Sequence, residues 1–274
     1  LVLNVTDSTG EALGTLNGVA TFAQVTGASN PLYGWAVGYD SSPAFADLDN
    51  DGDLDLVVGS HDGTLSYFAN DSGLFVRYTG SGNPFDGAHV GPTFNADVNP
   101  AFADLDGDGD FDAVIGDSFG NLSYFENTGS ATVAVFTLRT GSSNPFNGVD
   151  VGYSSDPTFA DLDGDGDLDA IVGEDSGVLN YFENTGTATA PVFTLRTDFG
   201  RPVGNVVVSS GSSVDFADLD NDGDLDLLVG VTDGTIECYL NIGSATTPLF
   251  AKRFGAANPF NGVDVGDYTR LEFV

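Results

Sequence analysis

Phe45-Ala46-Asp47-Leu48-Asp49-Asn50-Asp51-Gly52-Asp53-Leu54-Asp55-Leu56-Val57-Val58-Gly59 is the stretch on which the fold turns. It recurs almost unchanged from Phe102, Phe159 and Phe216, each start 57 residues after the last. The flanks keep the same register. Gly63-Thr64-Leu65-Ser66-Tyr67-Phe68 returns at Gly120, Gly177 and Gly234. A Phe-led stretch with basic residues follows at Phe75, Phe136, Phe193 and Phe250, and then a turn such as Asn144-Pro145-Phe146-Asn147-Gly148. A fixed period of this length marks a repeat architecture, in which each unit buries its apolar face only against its neighbours.

Each unit predicts four short strands, which in the first repeat cover 43–47, 54–59, 64–68 and 75–79. We call them A to D. Strand B, with Leu56, Val57 and Val58, is apolar on both faces, as a sheet sandwiched between two others requires. Strand A carries the small Ala44 and Ala46, suited to a crowded axis. Strand D holds Arg77, Arg139, Arg196, Lys252 and Arg253, five of the seven basic residues, and charges there protect an outer edge from pairing with other chains. Four antiparallel strands per repeat predict the blades of an all-β propeller. Phe273 continues the 57-residue register, so 269–274 is expected to be strand A of a further blade. Residues 1–10 align with 54–63 as its strand B, 22–27 with 75–80 as its strand D, and strand C lies between. The expectation is a single five-bladed β-propeller over 1–274. Its repeats lie near 43–80, 100–141, 157–198 and 214–255, and its closing blade is split between 1–27 and 269–274.

The loop between A and B carries the chemistry. Counted from its first aspartate, positions 1, 3, 5, 7 and 9 are Asp47, Asp49, Asp51, Asp53 and Asp55. The counterparts are Asp104, Asp106, Asp108, Asp110 and Asp112; Asp161, Asp163, Asp165, Asp167 and Asp169; and Asp218, Asp220, Asp222, Asp224 and Asp226. So many carboxylates in a tight loop repel one another until a cation neutralises them. Ca²⁺, which takes six to eight oxygens in flexible geometry, fits better than Mg²⁺. About four Ca²⁺ ions are therefore expected. The glycine at position 6 (Gly52, Gly109, Gly166, Gly223) permits the sharp turn around the ion. Side chains at positions 1, 3, 5 and 9 and the carbonyl at position 7 are the expected ligands, with the position-7 side chain pointing away.

These loops account for 20 of 41 acidic residues in a chain of 274 with 7 Lys and Arg and a net charge of −34. That balance excludes a nucleic-acid binder, which needs a basic face, and a module for anionic lipid. At 41% hydrophobic and 11% aromatic, the chain is too apolar for disorder. It has no apolar run long enough to insert in a membrane. Leu1 is expected to be a processed end or the start of a piece of a longer protein. Cys238, the single cysteine, is expected to be a buried structural thiol.

Asp-Leu-Asp-x-Asp-Gly-Asp-x-Asp within a Phe-Ala…Val-Gly frame resembles the FG-GAP, or VCBS, repeat of integrin α-subunits and of many bacterial extracellular proteins. The resemblance implies a propeller fold, Ca²⁺ at the A–B loops through Asp47, Asp49, Asp51, Asp55 and their counterparts, and extracellular adhesion or recognition. It departs from the integrin pattern in counting five blades where those have seven, and in lacking a literal Gly-Ala-Pro.

Alternation of strand direction puts the A–B and C–D loops on one face, and the B–C and D–A loops on the other. The second face varies between repeats, which suits recognition. Its candidate ligand residues are Trp35, His61, His89 and Tyr153, whose aromatic and polar groups suit a sugar. The recurring Phe85, Phe146 and Phe260 are expected to be core plugs instead. Without a Ser-His-Asp order, nucleophile motif or redox dithiol, the chain is not expected to be an enzyme. The expected role is a secreted or cell-surface adhesion module with a protein or carbohydrate partner. Alternatives are a glycan-binding lectin using the variable face, and a self-assembling subunit of a surface layer or extracellular filament.

Overall fold

The structure, a computed structural model, describes residues 3–5, 22–25, 27–91, 95–197, 202–208, 210–211 and 213–273. Its strands are β1 (Leu3–Val5), β2 (Phe22–Gln24), β3 (Ser42–Ala46), β4 (Asp55–Gly59), β5 (Leu65–Asp71), β6 (Leu74–Tyr78), β7 (Asn99–Ala103), β8 (Asp112–Gly116) and β9 (Leu122–Asn127). The series continues with β10 (Phe136–Arg139), β11 (Asp156–Ala160), β12 (Asp169–Gly173), β13 (Leu179–Asn184), β14 (Phe193–Arg196), β15 (Ser213–Ala217), β16 (Asp226–Gly230), β17 (Ile236–Asn241) and β18 (Phe250–Lys252). The helices among the described residues are single 3₁₀ turns such as Gly80–Gly82.

The strands form four antiparallel four-stranded sheets, β3 to β6, β7 to β10, β11 to β14 and β15 to β18, each in chain order. They are the blades of an all-β propeller. The inner strands β3, β7, β11 and β15 pack in succession around the axis. Every residue of β4, β8, β12 and β16 is buried, so the second strand of each blade is covered on both faces. Adjacent blades lock through two devices. Phe85, from the loop after the first blade, stacks on Phe136 of β10 with ring centroids 4.2 Å apart, and Phe146 stacks likewise on Phe193 of β14 at 4.4 Å. The plug residues Phe85, Phe146 and Phe260 are all buried. The second device is a glycine ending each B strand. A Cβ on Gly59 would stand 2.0 Å from the Val98 carbonyl oxygen, and one on Gly116 2.1 Å from that of Ser155, so only a bare backbone lets the next blade approach this closely.

The expectation of five four-stranded blades is corrected here: the described residues form four such sheets and one two-stranded sheet, β1 with β2. Leu3–Val5 pairs directly with Phe22–Gln24, Val5 opposite Phe22, so no strand lies between them and β1 does not sit as a second strand two places from the fourth. The strand C expected between them falls outside the described residues. Residues 269–273 are not assigned as a strand, and Val274 lies outside the described residues. The segment nonetheless occupies an inner-strand place. Gly230 meets the Thr269 carbonyl as Gly59 meets that of Val98. On one side the Leu271 N–H donates to Ser213 Oγ at 3.0 Å and the Phe273 N–H donates to the Asp215 carboxylate. On the other the Phe45 N–H donates to Glu272 Oε1 at 3.2 Å. Arg270 pairs with Asp156 across the axis at 3.4 Å. The segment thereby bridges the fourth blade to the first. Its side-chain bonds leave the register of a ladder unmet, which is why position and strand pairing disagree there.

Candidate functional site

The aspartate loops join inner to second strands on one face. Two left-handed residues wrap each of them: Asn50, Gly107, Gly164 or Asn221 at position 4, and glycine at position 6 with φ near 94°. Position 1 clasps the turn. Asp104 accepts the Gly107 and Gly109 N–H groups at 2.7 and 3.1 Å, and Asp161 does the same with Gly164 and Gly166. Position 5 accepts the N–H of position 7, as Asp108 does from Asp110 at 3.1 Å.

Position 9 is buried and heavily bonded. Asp112 accepts from the Leu105 N–H at 3.2 Å, the Tyr124 hydroxyl at 2.8 Å and the Asn127 N–H at 2.8 Å. Asp55 and Asp169 repeat the pattern, with Tyr67 and Tyr181 as hydroxyl donors. Sequence reasoning missed these tyrosines, though their recurrence at the 57-residue period was the signal. Position 7 was expected to point away. Asp53 does, accepting the Ser72 N–H at 2.8 Å. Asp110 and Asp167 do not: both are buried, each leaves Oδ1 without a partner, and each faces the carboxylates of its own loop.

Carboxylate oxygens of Asp47, Asp49 and Asp51 lie within 4.8 Å of one another, as do those of Asp104, Asp106 and Asp108, and of Asp161, Asp163 and Asp165. In the fourth loop the converging set is Asp218, Asp220 and Asp226. Burial first, and the charges of neighbouring aspartates after it, raise Asp49, Asp106, Asp163 and Asp220 above the ordinary carboxylate value. Burial first and Asp108 second push Asp110 up to about 6. Burial, against the Asn127, Tyr124 and Leu105 hydrogen bonds, pushes Asp112 up to about 6, and Asp169 and Asp226 reach a similar value, also through burial first. Asp49 Oδ1, Asp110 Oδ1 and Asp167 Oδ1 are buried and unpartnered. An all-oxygen donor set with orphaned, mutually repelling carboxylates fits Ca²⁺. Asp47, Asp49 and Asp51, their counterparts in the second and third loops, and Asp218, Asp220 and Asp226 in the fourth would hold the ion, which would neutralise the loop and fix its turn.

A cavity of about 1170 Å³ runs along the first blade, its described lining reaching from Gly52, Asp53 and Leu54 of the aspartate loop past Phe68 and Trp35 to Asp97, Tyr153 and Arg270. Trp35 is half exposed and meets Phe68 edge-on at 5.5 Å. Tyr153 is exposed. His61 stands beside this wall with Nδ1 2.5 Å from Asp97 and 3.3 Å from Asp40. The Asp97 hydrogen bond foremost holds its pKa above the ordinary histidine value. The cavity wall thus includes Trp35, seated on the flank of the first blade, and Tyr153, while His61 reaches it only through Asp40 and Asp97. His89 lies apart from the cavity lining, its ring over Gly63. The strand-D cations turn inward to their own blades: Arg139 forms a bidentate pair with Glu126 at 2.8 and 2.7 Å, and Arg196 and Lys252 pair with Glu183 and Glu237. Cys238 is fully buried, and burial pushes its thiol up to about 12, which fits a structural role.

The FG-GAP-like repeat model matches residues 47–115, 104–172 and 161–229, each match running from one aspartate loop into the next B strand. Together the matches cover more than half of the chain. The chain belongs to the FG-GAP-like repeat family. As an FG-GAP-like chain it is also similar to a solved lectin of Agrocybe aegerita, described as specifically recognising non-reducing terminal N-acetylglucosamine. Identity is 21%, the TM-score 0.43, and the alignment covers 82% of this chain and 53% of that one. The chain therefore spans about half the length of that structure. No curated protein matches it.

Proposed function

We propose that this FG-GAP-like propeller is an extracellular binding and adhesion module and not an enzyme, ordered by structural Ca²⁺ in its four aspartate loops. Three buried carboxylate oxygens without hydrogen-bond partners, one in each of the first three loops, carry the calcium reading. Calorimetric titration of chelator-treated protein tests it: four bound Ca²⁺ are expected, with a large rise in melting temperature. A protein indifferent to both calcium and chelator overturns it.

The ligand reading places a carbohydrate in the part of the first-blade cavity lined by Asp97 and Tyr153, away from the aspartate loops. Exposed aromatic rings beside carboxylates, in a cavity large enough for an oligosaccharide, favour stacking with hydrogen bonding to hydroxyls. A glycan array with the calcium-loaded protein is expected to give a defined set of hits. Trp35→Ala and Tyr153→Ala should each weaken those hits at least about tenfold, the scale of one lost stacking contact. No hits, together with assembly on adding Ca²⁺, would favour a subunit of a surface layer or filament instead.

A further inference from the structure

The four loops differ in what lies beneath them. In the first three repeats the tyrosine twelve residues beyond position 9 donates its hydroxyl to that carboxylate at 2.8, 2.8 and 2.7 Å. In the fourth this place is Cys238. Asp226 then accepts the Leu219 N–H at 2.9 Å and the Asn241 N–H at 2.7 Å, and no hydroxyl reaches it among the described residues.

A second difference concerns charge. Glu126 and Glu183 each hold the arginine of the neighbouring strand, Arg139 and Arg196. The equivalent residue of the fourth repeat is Leu240, so the equivalent arginine, Arg253, has lost its glutamate. Its backbone N–H donates to the Cys238 carbonyl at 2.8 Å, which seats it directly across from that residue. Its Nε is buried without a hydrogen-bond partner. The register of β17 with β18 sets Arg253 opposite Cys238 as Arg139 and Arg196 stand opposite Tyr124 and Tyr181, so its side chain lies on the face from which those tyrosines reach position 9. In the second and third blades the same arginine comes with a glutamate and adds no net charge to the loop.

We infer that the fourth loop is the weak cation site of the four, filled last and emptied first, because Arg253 brings an uncompensated positive charge to its carboxylates. This rests on the reading of the loops as calcium sites. The missing tyrosine acts less strongly. It removes a neutral donor and leaves the charge of Asp226 unchanged, whereas Arg253 changes the charge of the site by one and opposes a divalent ion directly.

The test is calorimetric calcium titration of the full chain after chelation. The wild type is expected to show three tight events and one at least about tenfold weaker. Asp220→Ala should delete the weak event, and Asp106→Ala a tight one. Arg253→Gln, which removes the charge, and Leu240→Glu, which restores its partner, should each bring the fourth event to within about threefold of the others. Cys238→Tyr alone should leave the weak event in place. Four equal events, or a split that survives both Arg253→Gln and Leu240→Glu, overturn the inference while leaving the calcium reading intact. Absence of any binding overturns both.

Discussion

Replacing Asp215 by asparagine should stabilise the protein at pH 8 and leave it unchanged at pH 4.5. Asp215 is buried on β15 beside the bridging segment, where it accepts the Phe216 N–H at 2.8 Å and the Phe273 N–H. Burial, and then the charge of Asp156, push it up to about 7. Glu272 is raised well above the ordinary carboxylate value by burial and by Asp215 itself, and Asp156 is raised by burial against the opposing pull of Arg270. The folded-state value lies above the unfolded one, near 3.8, so the folded protein holds an extra proton between them. Stability therefore falls as pH rises from about 4 to about 7, and the full deficit is present above that window. About three units at roughly 1.4 kcal/mol each amount to about 4 kcal/mol at pH 8. Asparagine abolishes the deficit but keeps only one of two oxygens, at a cost of about 1 kcal/mol. The net gain is about 3 kcal/mol at pH 8, or roughly 6–12 °C in melting temperature. At pH 4.5 the deficit is only about 1 kcal/mol and the two effects cancel. Asp215 and Glu272 titrate as a pair, so Glu272→Gln, which retains the acceptor for the Phe45 N–H, should move the same way. The assay is thermal unfolding of variant minus wild type in saturating calcium, which holds the aspartate loops constant. An Asp215→Asn variant less stable by the same amount at both pH values would refute the reasoning.

Two further outcomes follow from named groups. In chelator, melting temperature should fall between pH 4.5 and pH 7.5, because Asp110, Asp112, Asp169 and Asp226 are all raised to about 6 and lose their stabilising protons in that window; scanning fluorimetry with and without calcium checks the sign, and a rise in chelator would contradict it. Gly116→Ala should cost about 3 kcal/mol or more in denaturant unfolding, since its Cβ would stand 2.1 Å from a backbone oxygen of the next blade that no rotamer change can move, and a loss below about 1 kcal/mol would show that the blades yield there.

Much of the fold was legible because the repeat writes each structural demand several times. The 57-residue period fixed four strands per blade. The predicted 43–47, 54–59, 64–68 and 75–79 fall within a few residues of β3 to β6. The phenylalanine plugs and the B-strand glycines recur for the same physical reason, contact with the next blade. Closure was not legible. A register such as that of Phe273 fixes which residue faces the neighbouring blade, and this held: Phe273 packs edge-on against Phe260 at 5.9 Å. It says nothing of whether a partner strand offers a matching ladder, and there the Leu271 and Phe273 N–H groups go to the side chains of Ser213 and Asp215.

The same distinction separates the readable from the unreadable part of the site. Five alternating aspartates announce mutual repulsion, and the proposed cation is the inference drawn from it. Which oxygens meet depends on the layer beneath, since a carboxylate held by three donors, as Asp112 is by Leu105, Tyr124 and Asn127, is oriented by the blade before any ion arrives. That layer lies twelve to fifteen residues away in sequence, where the loop motif is silent. Repetition exposes what all blades need, and the positions that break it, Cys238, Leu240, Asp215 and Glu272, are those at which one blade or the axis must differ from the rest. In a repeat protein the exceptions therefore carry the functional information: the same period that makes the scaffold easy to read marks, by its failures, where each loop and each face is individually tuned.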